Sequence, residues 1–194
     1  MCSVSRLSKE KNIYFLLEGI EYVKNHTTIP FKLVLIGDGP EKQMLQETIK
    51  EKELDDIVTL TGSIPPIDVV KFYLASDLFI FSSQSETQGM VLLEAMAGGC
   101  PVVAIRSSGV DDVIVNDSNG YKTKPEVEAW ANRIIQLLED SDKLKEMSKE
   151  ATQFAKQYGI EEMARHVEDI YYKKIKQHKA YTKKMNECDE ENCD

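Results

Sequence analysis

Two carboxylates and two cations carry the chemistry this sequence could perform. Glu86 and Glu94 stand eight positions apart in Ser85-Glu86-Thr87-Gln88-Gly89-Met90-Val91-Leu92-Leu93-Glu94-Ala95-Met96-Ala97-Gly98-Gly99. This stretch lies between Leu78-Phe79-Ile80-Phe81 and Pro101-Val102-Val103-Ala104-Ile105, and the whole reads as strand, polar loop, helix, strand. Met90 to Ala97 is apolar all round except for Glu94, the pattern of a buried helix. A carboxylate there is costly unless something pairs with it. The neighbours three and four residues away (Met90, Val91, Ala97, Gly98) include no cation, so no partner comes from the same helix. Glu94 therefore needs a distant partner, a pocket or a ligand hydroxyl. Glu86 lies in the loop entering the helix, and Gly89 stands where backbone amides are free to point outward. The two carboxylates could be a general acid/base pair, as in glycoside hydrolysis. Their place around a Gly-led helix start suits hydroxyl acceptors beside a phosphate better. The plain alternative for Glu94 is a buried carboxylate satisfied by backbone or water.

The cations are Arg6 and Lys11, in Ser5-Arg6-Leu7-Ser8-Lys9-Glu10-Lys11-Asn12. They flank the start of a helix, the end at which the dipole favours anions. A bound diphosphate would resolve this, with the helix end and both cations facing the same phosphates. A solvated loop with surface cations is the simpler account of these two residues taken alone. Gly37-Asp38-Gly39-Pro40 either lets a backbone approach a ligand closely or is a strand-to-helix turn with no further role. His26, His166 and His178 lie outside these loops, and the pairs Ser82-Ser83 and Ser107-Ser108 have no histidine that suggests a nucleophile. Met90, Leu93 and Met96 are expected in the core.

The elements that must position these groups follow from periodicity. Cys2-Ser3-Val4 is a short first strand. Ile13, Leu16, Leu17, Ile20 and Val23 recur at helical spacing, with Asn12 as N-cap. Phe31 to Ile36 is a buried strand, and Pro40 suits the first turn of a helix through Lys52. Ile57 to Leu60 is a strand closed by Gly62. Pro65-Pro66 opens a short helix with Val69, Val70 and Tyr73 facing in. Beyond Ile105 come a short turn or helix around Asp111 to Val115 and a tight turn at Asn119-Gly120 into Tyr121-Lys122-Thr123. Helices are expected over Glu126 to Leu138, Asp142 to Tyr158 and Ile160 to about His178. Apolar strands alternating with helices imply a parallel sheet covered on both faces. Its polar loops (Ser5 to Lys11, Gly37 to Pro40, Gly62-Ser63, Ser82 to Gly89, Arg106 to Gly109) lie at the strands' carboxyl ends, where ligands of such sheets bind. The expected organisation is one domain over residues 1–178 and a charged tail without periodicity over residues 179–194, expected to be disordered.

Composition bounds the partners. A chain of 194 residues, 42% hydrophobic and 29% charged, suits one globular domain with an appendage. Its apolar runs are far shorter than a membrane span and no signal peptide is apparent. A net charge of -9 argues against nucleic acid or a strongly anionic membrane as its direct partner. Cys2, Cys100, Cys188 and Cys193 form no metal-ligand spacing, which suits a reducing cytoplasm.

The loop motifs, together with Val58-Thr59-Leu60-Thr61-Gly62, Ser76-Asp77-Leu78-Phe79-Ile80-Phe81 and Glu86…Glu94-Ala95-Met96-Ala97-Gly98-Gly99-Cys100-Pro101-Val102-Val103-Ala104, resemble the C-terminal domain of retaining GT-B glycosyltransferases of the group known as family 4. The likeness runs from about residue 3 to residue 175. It implies a Rossmann-like three-layer α/β/α domain, one half of a GT-B fold, that binds a nucleotide-sugar donor. By this resemblance Arg6 and Lys11 neutralise the donor diphosphate and Glu86 holds hydroxyls of the transferred sugar. Gly89, Met90 and Val91 offer backbone amides, Glu94 holds the ribose hydroxyls, Gly37 and Gly39 line the donor, and the loop at Gly62 and Ser63 lies near the base. No metal or other cofactor is required, since cations and a helix end act on the leaving diphosphate.

Ser5 stands where the family usually has Gly, Gln88 where it usually has an aromatic, and Asp112 where it often has Glu. Ser-Glu-Thr-Gln-Gly resembles the subgroup that glucosylates diacylglycerol. The expected full-length enzyme is a hexosyltransferase moving glucose from UDP-glucose to a membrane lipid. It would work in the cytoplasm at the inner face of the membrane, with an N-terminal domain that binds the acceptor. This chain alone is expected to transfer nothing. A nucleotide-binding or scaffolding module of the same fold, without the chemistry, is the alternative.

Overall fold

The structure is a computed structural model that describes the backbone of residues 1–191 and the side chains of residues 1–179. It divides into two units, Met1–Ala155 and a second beginning at Lys156, rather than at residue 178.

The first unit is built on six parallel strands: β1 (Cys2–Val4), β2 (Leu33–Ile36), β3 (Val58–Gly62), β4 (Phe79–Phe81), β5 (Val102–Ile105) and β6 (Gly120–Thr123). Their order is β3-β2-β1-β4-β5-β6. The register pairs Ser3 with Leu35 and Ile80 with Val103. Helices α1 (Ile13–His26), α2 (Lys42–Glu51), α3 (Pro66–Leu74), α4 (Met90–Ala97), α5 (Ser108–Val113), α6 (Val127–Glu139) and α7 (Ser141–Lys156) connect and cover the strands.

Strands β2, β4 and β5 are apolar on both sides because both sides are covered, whereas the edge strands β3 and β6 also carry Thr59, Thr61, Lys122 and Thr123. Ile80, Val103 and Ile105 join one core cluster with Leu16, Leu17 and Ile20 of α1 and Trp130 of α6. Phe79, Phe81, Val102 and Ala104 join the other, with Leu92 and Met96 of α4 and Ala151 of α7. Gly19 lets α1 lie against α6, since a Cβ there would sit 2.5 Å from the Trp130 ring. The expected three-layer Rossmann-like domain is therefore the one observed.

Two local expectations change. Asn12 stands at the N-cap of α1, but it adopts the left-handed conformation (φ 53°) and its side chain makes no cap bond. The preceding 3-10 turn, Lys9–Lys11, ends at the same residue, so the position serves that turn's exit. Val70 is exposed rather than buried: Val69 and Tyr73, four residues apart, already form the inward stripe of α3.

The second unit carries α8 (Ile160–Glu191). Helix continues past residue 178, where a charged tail was expected, and no Gly or Pro interrupts Ile160 to Glu191. Lys, Ala, Met and Glu supply the better helix formers there, and the two strongest breakers are absent. Residues 192–194, the end of the expected tail, lie outside the described residues. No helix among the described residues is long and apolar enough to cross a membrane.

Candidate functional site

The strand order reverses between β1 and β4, which places the opening for a ligand beyond their carboxyl ends. A cavity of about 500 Å³ lies there, lined by Val4, Ser5, Arg6 and Lys11 from the β1–α1 segment, Gly37 and Asp38 after β2, Ser63 and Ile64 after β3, and Glu86, Met90, Val91 and Glu94 around the start of α4. Four loops and the first turns of α4 thus supply the walls. The Arg106–Gly109 loop does not line the cavity. It braces a wall instead: Gly109 N–H donates to the Glu86 carbonyl oxygen at 2.9 Å.

On the β2 side the backbone fixes the geometry. Ser5 N–H donates to the Ile36 carbonyl at 3.1 Å and Leu7 N–H to the Asp38 carbonyl at 3.0 Å. A Cβ on Gly37 (φ 142°) would collide with the Ser5 carbonyl oxygen, and one on Gly39 with that of Leu7. The glycines of Gly37-Asp38-Gly39-Pro40 thus let two loops of the protein touch. Gly37 faces the cavity, while Gly39 does not line it. Gly62 also lies off the wall: its carbonyl accepts the Gly37 N–H at 3.0 Å. Asp38 forms an ion pair with Lys42 at 2.7 Å, and that contact holds its carboxyl below the usual Asp range.

On the β4 side the ties are side chains. Ser82 Oγ donates to the Lys11 carbonyl oxygen at 2.8 Å. Lys11 Nζ lies 3.5 Å from Glu86 Oε2 and 5.9 Å from the centre of the Phe81 ring. Glu86 Oε1 accepts the Gly89 N–H at 3.0 Å. The Gly89 amide, expected to be free, is thus held by the loop's own carboxylate. Gly89 itself is buried in the left-handed conformation (φ 68°), where a Cβ would lie 2.7 Å from the Gly109 carbonyl oxygen.

Glu94 requires the largest correction. It is exposed to the cavity rather than buried. Met90, expected in the core, is 55% exposed, and Ala97 is exposed as well. These three positions repeat at helical spacing, so α4 is buried on most of its circumference and opens one strip to the crevice. The apolar composition of the helix concealed that strip. The distant partner exists, however: Tyr73 Oη donates to Glu94 Oε2 at 3.2 Å. Sequence reading placed Tyr73 only as core. A buried phenol needs a hydrogen-bond partner, which was the available signal.

Arg6 is exposed at the rim and makes no ion pair among the described residues. The cavity is thus lined by two cations and three carboxylates, with Lys42 offsetting Asp38 from outside. What this arrangement can do is hold a ligand that has both anionic groups and hydroxyls.

A family comparison matches residues 1–154 to the domain described as Glycosyl transferases group 1. The chain belongs to this family. Among curated relatives of this group 1 chain, the alpha-monoglucosyldiacylglycerol synthase of Acholeplasma laidlawii is 31% identical over 183 residues, covering 93% of this chain and 45% of that protein. The N-acetyl-alpha-D-glucosaminyl L-malate synthase of Bacillus anthracis is 31% identical over 171 residues, covering 87% and 44%. The chain therefore spans about half the length of the curated relatives it matches. The solved structure of Anabaena Alr3699/HepE in complex with UDP matches with a TM-score of 0.78 at 26% identity, over 89% of this chain and 48% of that one. The fold is accordingly one half of a GT-B glycosyltransferase.

Proposed function

We propose that this chain is the donor-binding half of a retaining hexosyltransferase, and that a UDP-sugar occupies the crevice between β1 and β4. One observation carries the reading: in a group 1 chain, the reversal of strand order brings Arg6 and Lys11 of one loop into the cavity walled by Glu86 and Glu94 of another. Arg6 and Lys11 act on the diphosphate, which gathers charge as the bond from the sugar's anomeric carbon to the phosphate oxygen breaks. Binding requires Lys11 to turn from Glu86 to phosphate and Glu86 to turn to sugar hydroxyls. That exchange releases the Gly89 amide toward the ligand beside those of Met90 and Val91. Glu94 takes the ribose hydroxyls, and Ser63 lies toward the base. No divalent metal takes part, since two cations and the start of α4 supply the positive field.

The donor in this reading is UDP-glucose and the acceptor is diacylglycerol, held by an N-terminal domain. The complete enzyme is cytoplasmic and peripheral at the inner face of the membrane. The Acholeplasma relative's name supports the lipid acceptor, and the UDP in the Anabaena structure supports the donor nucleotide.

Calorimetry of the chain with UDP tests this. The same affinity is expected with and without EDTA. Arg6→Ala is expected to weaken UDP roughly tenfold or more, and Glu94→Gln to weaken UDP while sparing inorganic pyrophosphate. Binding abolished by EDTA overturns the metal-free reading. Binding indifferent to Arg6→Ala, Lys11→Ala and Glu94→Gln combined moves the site elsewhere.

A further inference from the structure

Tyr73 is held more firmly than its place beside an open crevice requires. It is 2% exposed, its ring meets Phe79 edge-on with centroids 5.9 Å apart, and its backbone carbonyl accepts the Cys100 Sγ–H at 3.1 Å. Gly98, at the end of α4, permits this fit: a Cβ there would lie 2.5 Å from the Tyr73 Cβ. Ring, backbone and helix approach are thus all fixed, and the one polar atom of the side chain ends at Glu94 Oε2, 3.2 Å away. Among the described residues, Glu94 Oε1 accepts no protein hydrogen bond. A carboxylate with one oxygen anchored and the other free is a pre-oriented acceptor, and less rotamer freedom is lost when it binds. Burial first, and the Glu94 charge next, raise the phenol's pKa, so the group stays an O–H donor across the working pH range.

We propose that Tyr73 is a positioning residue of the donor site: by binding Glu94 Oε2 it presents Oε1 to the vicinal hydroxyls of the ligand's ribose. The proposal rests on the donor-half reading. It differs from that reading in assigning a determinant of nucleoside affinity to α3, outside the loops that touch the ligand, and it makes the α3–α4 approach at Gly98 part of the site.

The test is calorimetry of Tyr73→Phe, Glu94→Gln and the double variant in the full chain, with three ligands: UDP, 2′-deoxy-UDP and inorganic pyrophosphate. Thermal melts of each protein run alongside. Tyr73→Phe is expected to weaken UDP roughly threefold to tenfold, the range for one ordinary net hydrogen bond, because the variant loosens Glu94 without removing a ligand contact. It should leave pyrophosphate unchanged and weaken 2′-deoxy-UDP less than UDP. In the Glu94→Gln background, Tyr73→Phe should add little, because the two act as one unit. Equal losses for UDP and pyrophosphate would reduce Tyr73 to a structural role and overturn the proposal. So would losses that add fully in the double variant, or a Tyr73→Phe protein with wild-type UDP affinity. In the last case, wild-type binding of UDP would leave the donor-half reading standing. A wild-type chain that binds no UDP overturns both.

Discussion

The two walls of the crevice are held by different means. On the β2 side, the Ser5–Leu7 and Gly37–Glu41 segments are joined by main-chain bonds, among them Glu41 N–H to the Leu7 carbonyl at 3.1 Å, with glycines where a Cβ has no room. On the β4 side, one main-chain bond from Gly109 braces the back of the Ser82–Gly89 loop, and toward the crevice the loop is held by side chains: Ser82 and Glu86 against Lys11 and the Gly89 amide. Main-chain bonds between packed loops cannot be traded for a ligand without opening the fold. Side-chain bonds can, because a phosphate or a sugar hydroxyl offers Lys11 and Glu86 an equivalent partner. In the donor-half reading proposed above, the rigid wall sets where the ligand lies, and the exchangeable wall supplies the groups that engage it.

The strongest way to break this contrast is Gly37→Ala. The new methyl group would collide with the Ser5 carbonyl oxygen, at a φ of 142° that L residues rarely adopt. Strain and overpacking together should cost about 3 kcal/mol of stability, read as a lowered urea midpoint. A change under about 0.5 kcal/mol would show that the wall yields. On the exchangeable wall, Lys11→Ala removes one charge-assisted contact. It should weaken UDP roughly tenfold or more while shifting the urea midpoint far less than Gly37→Ala does.

The same contrast explains what was legible in the sequence. The sheet, its helices and the loops that meet at the crevice followed from period and punctuation, because buried parallel strands are apolar throughout and their loops must be polar. Gly37 and Gly39 were visible as special positions, but whether they approached a ligand or another loop depended on a neighbour more than thirty residues upstream. Glu94 stands out in the sequence for a sound reason, the lack of a cation on its own helix, yet the apolar composition of that helix points to the core. An eight-residue helix with one narrow open strip looks the same in composition as a wholly buried one. Its partner Tyr73 comes from a different helix, and no local spacing records that contact. The extent of α8 was missed for the opposite reason: a charged stretch without period can still be helical when nothing breaks it.

Glu86→Ala sharpens the comparison from the exchangeable side. The Gly89 amide loses its acceptor, much as in the loss of a helix cap, at a cost of about 1 kcal/mol. If Glu86 turns to the sugar on binding, the same variant should lower the affinity for UDP-glucose relative to UDP by roughly tenfold. Thermal melts and paired titrations separate the two effects. A stability loss with an unchanged affinity ratio would confine Glu86 to shaping the loop.

The smallest expected effect belongs to Asp38, on the rigid wall. The ion pair with Lys42 comes first in lowering its pKa from the ordinary 3.8, and the Gly39 N–H, 2.8 Å from Oδ1, adds to it. The folded state therefore favours the charged form. That contribution is fully present above the pH at which the unfolded chain's Asp titrates, and it fades as pH falls through the lower folded-state pKa. Both side chains of the pair are more than a third exposed, so water and salt screen most of it. Asp38→Asn retains an oxygen that can accept the Gly39 N–H and removes only the charge. The urea midpoints of the two proteins should differ slightly at neutral pH, differ less at high salt, and converge at a pH below the folded-state pKa. A gap that persists in acid would mean that the carboxylate's shape, rather than its charge, matters to this turn. The rigid wall would then owe nothing to electrostatics.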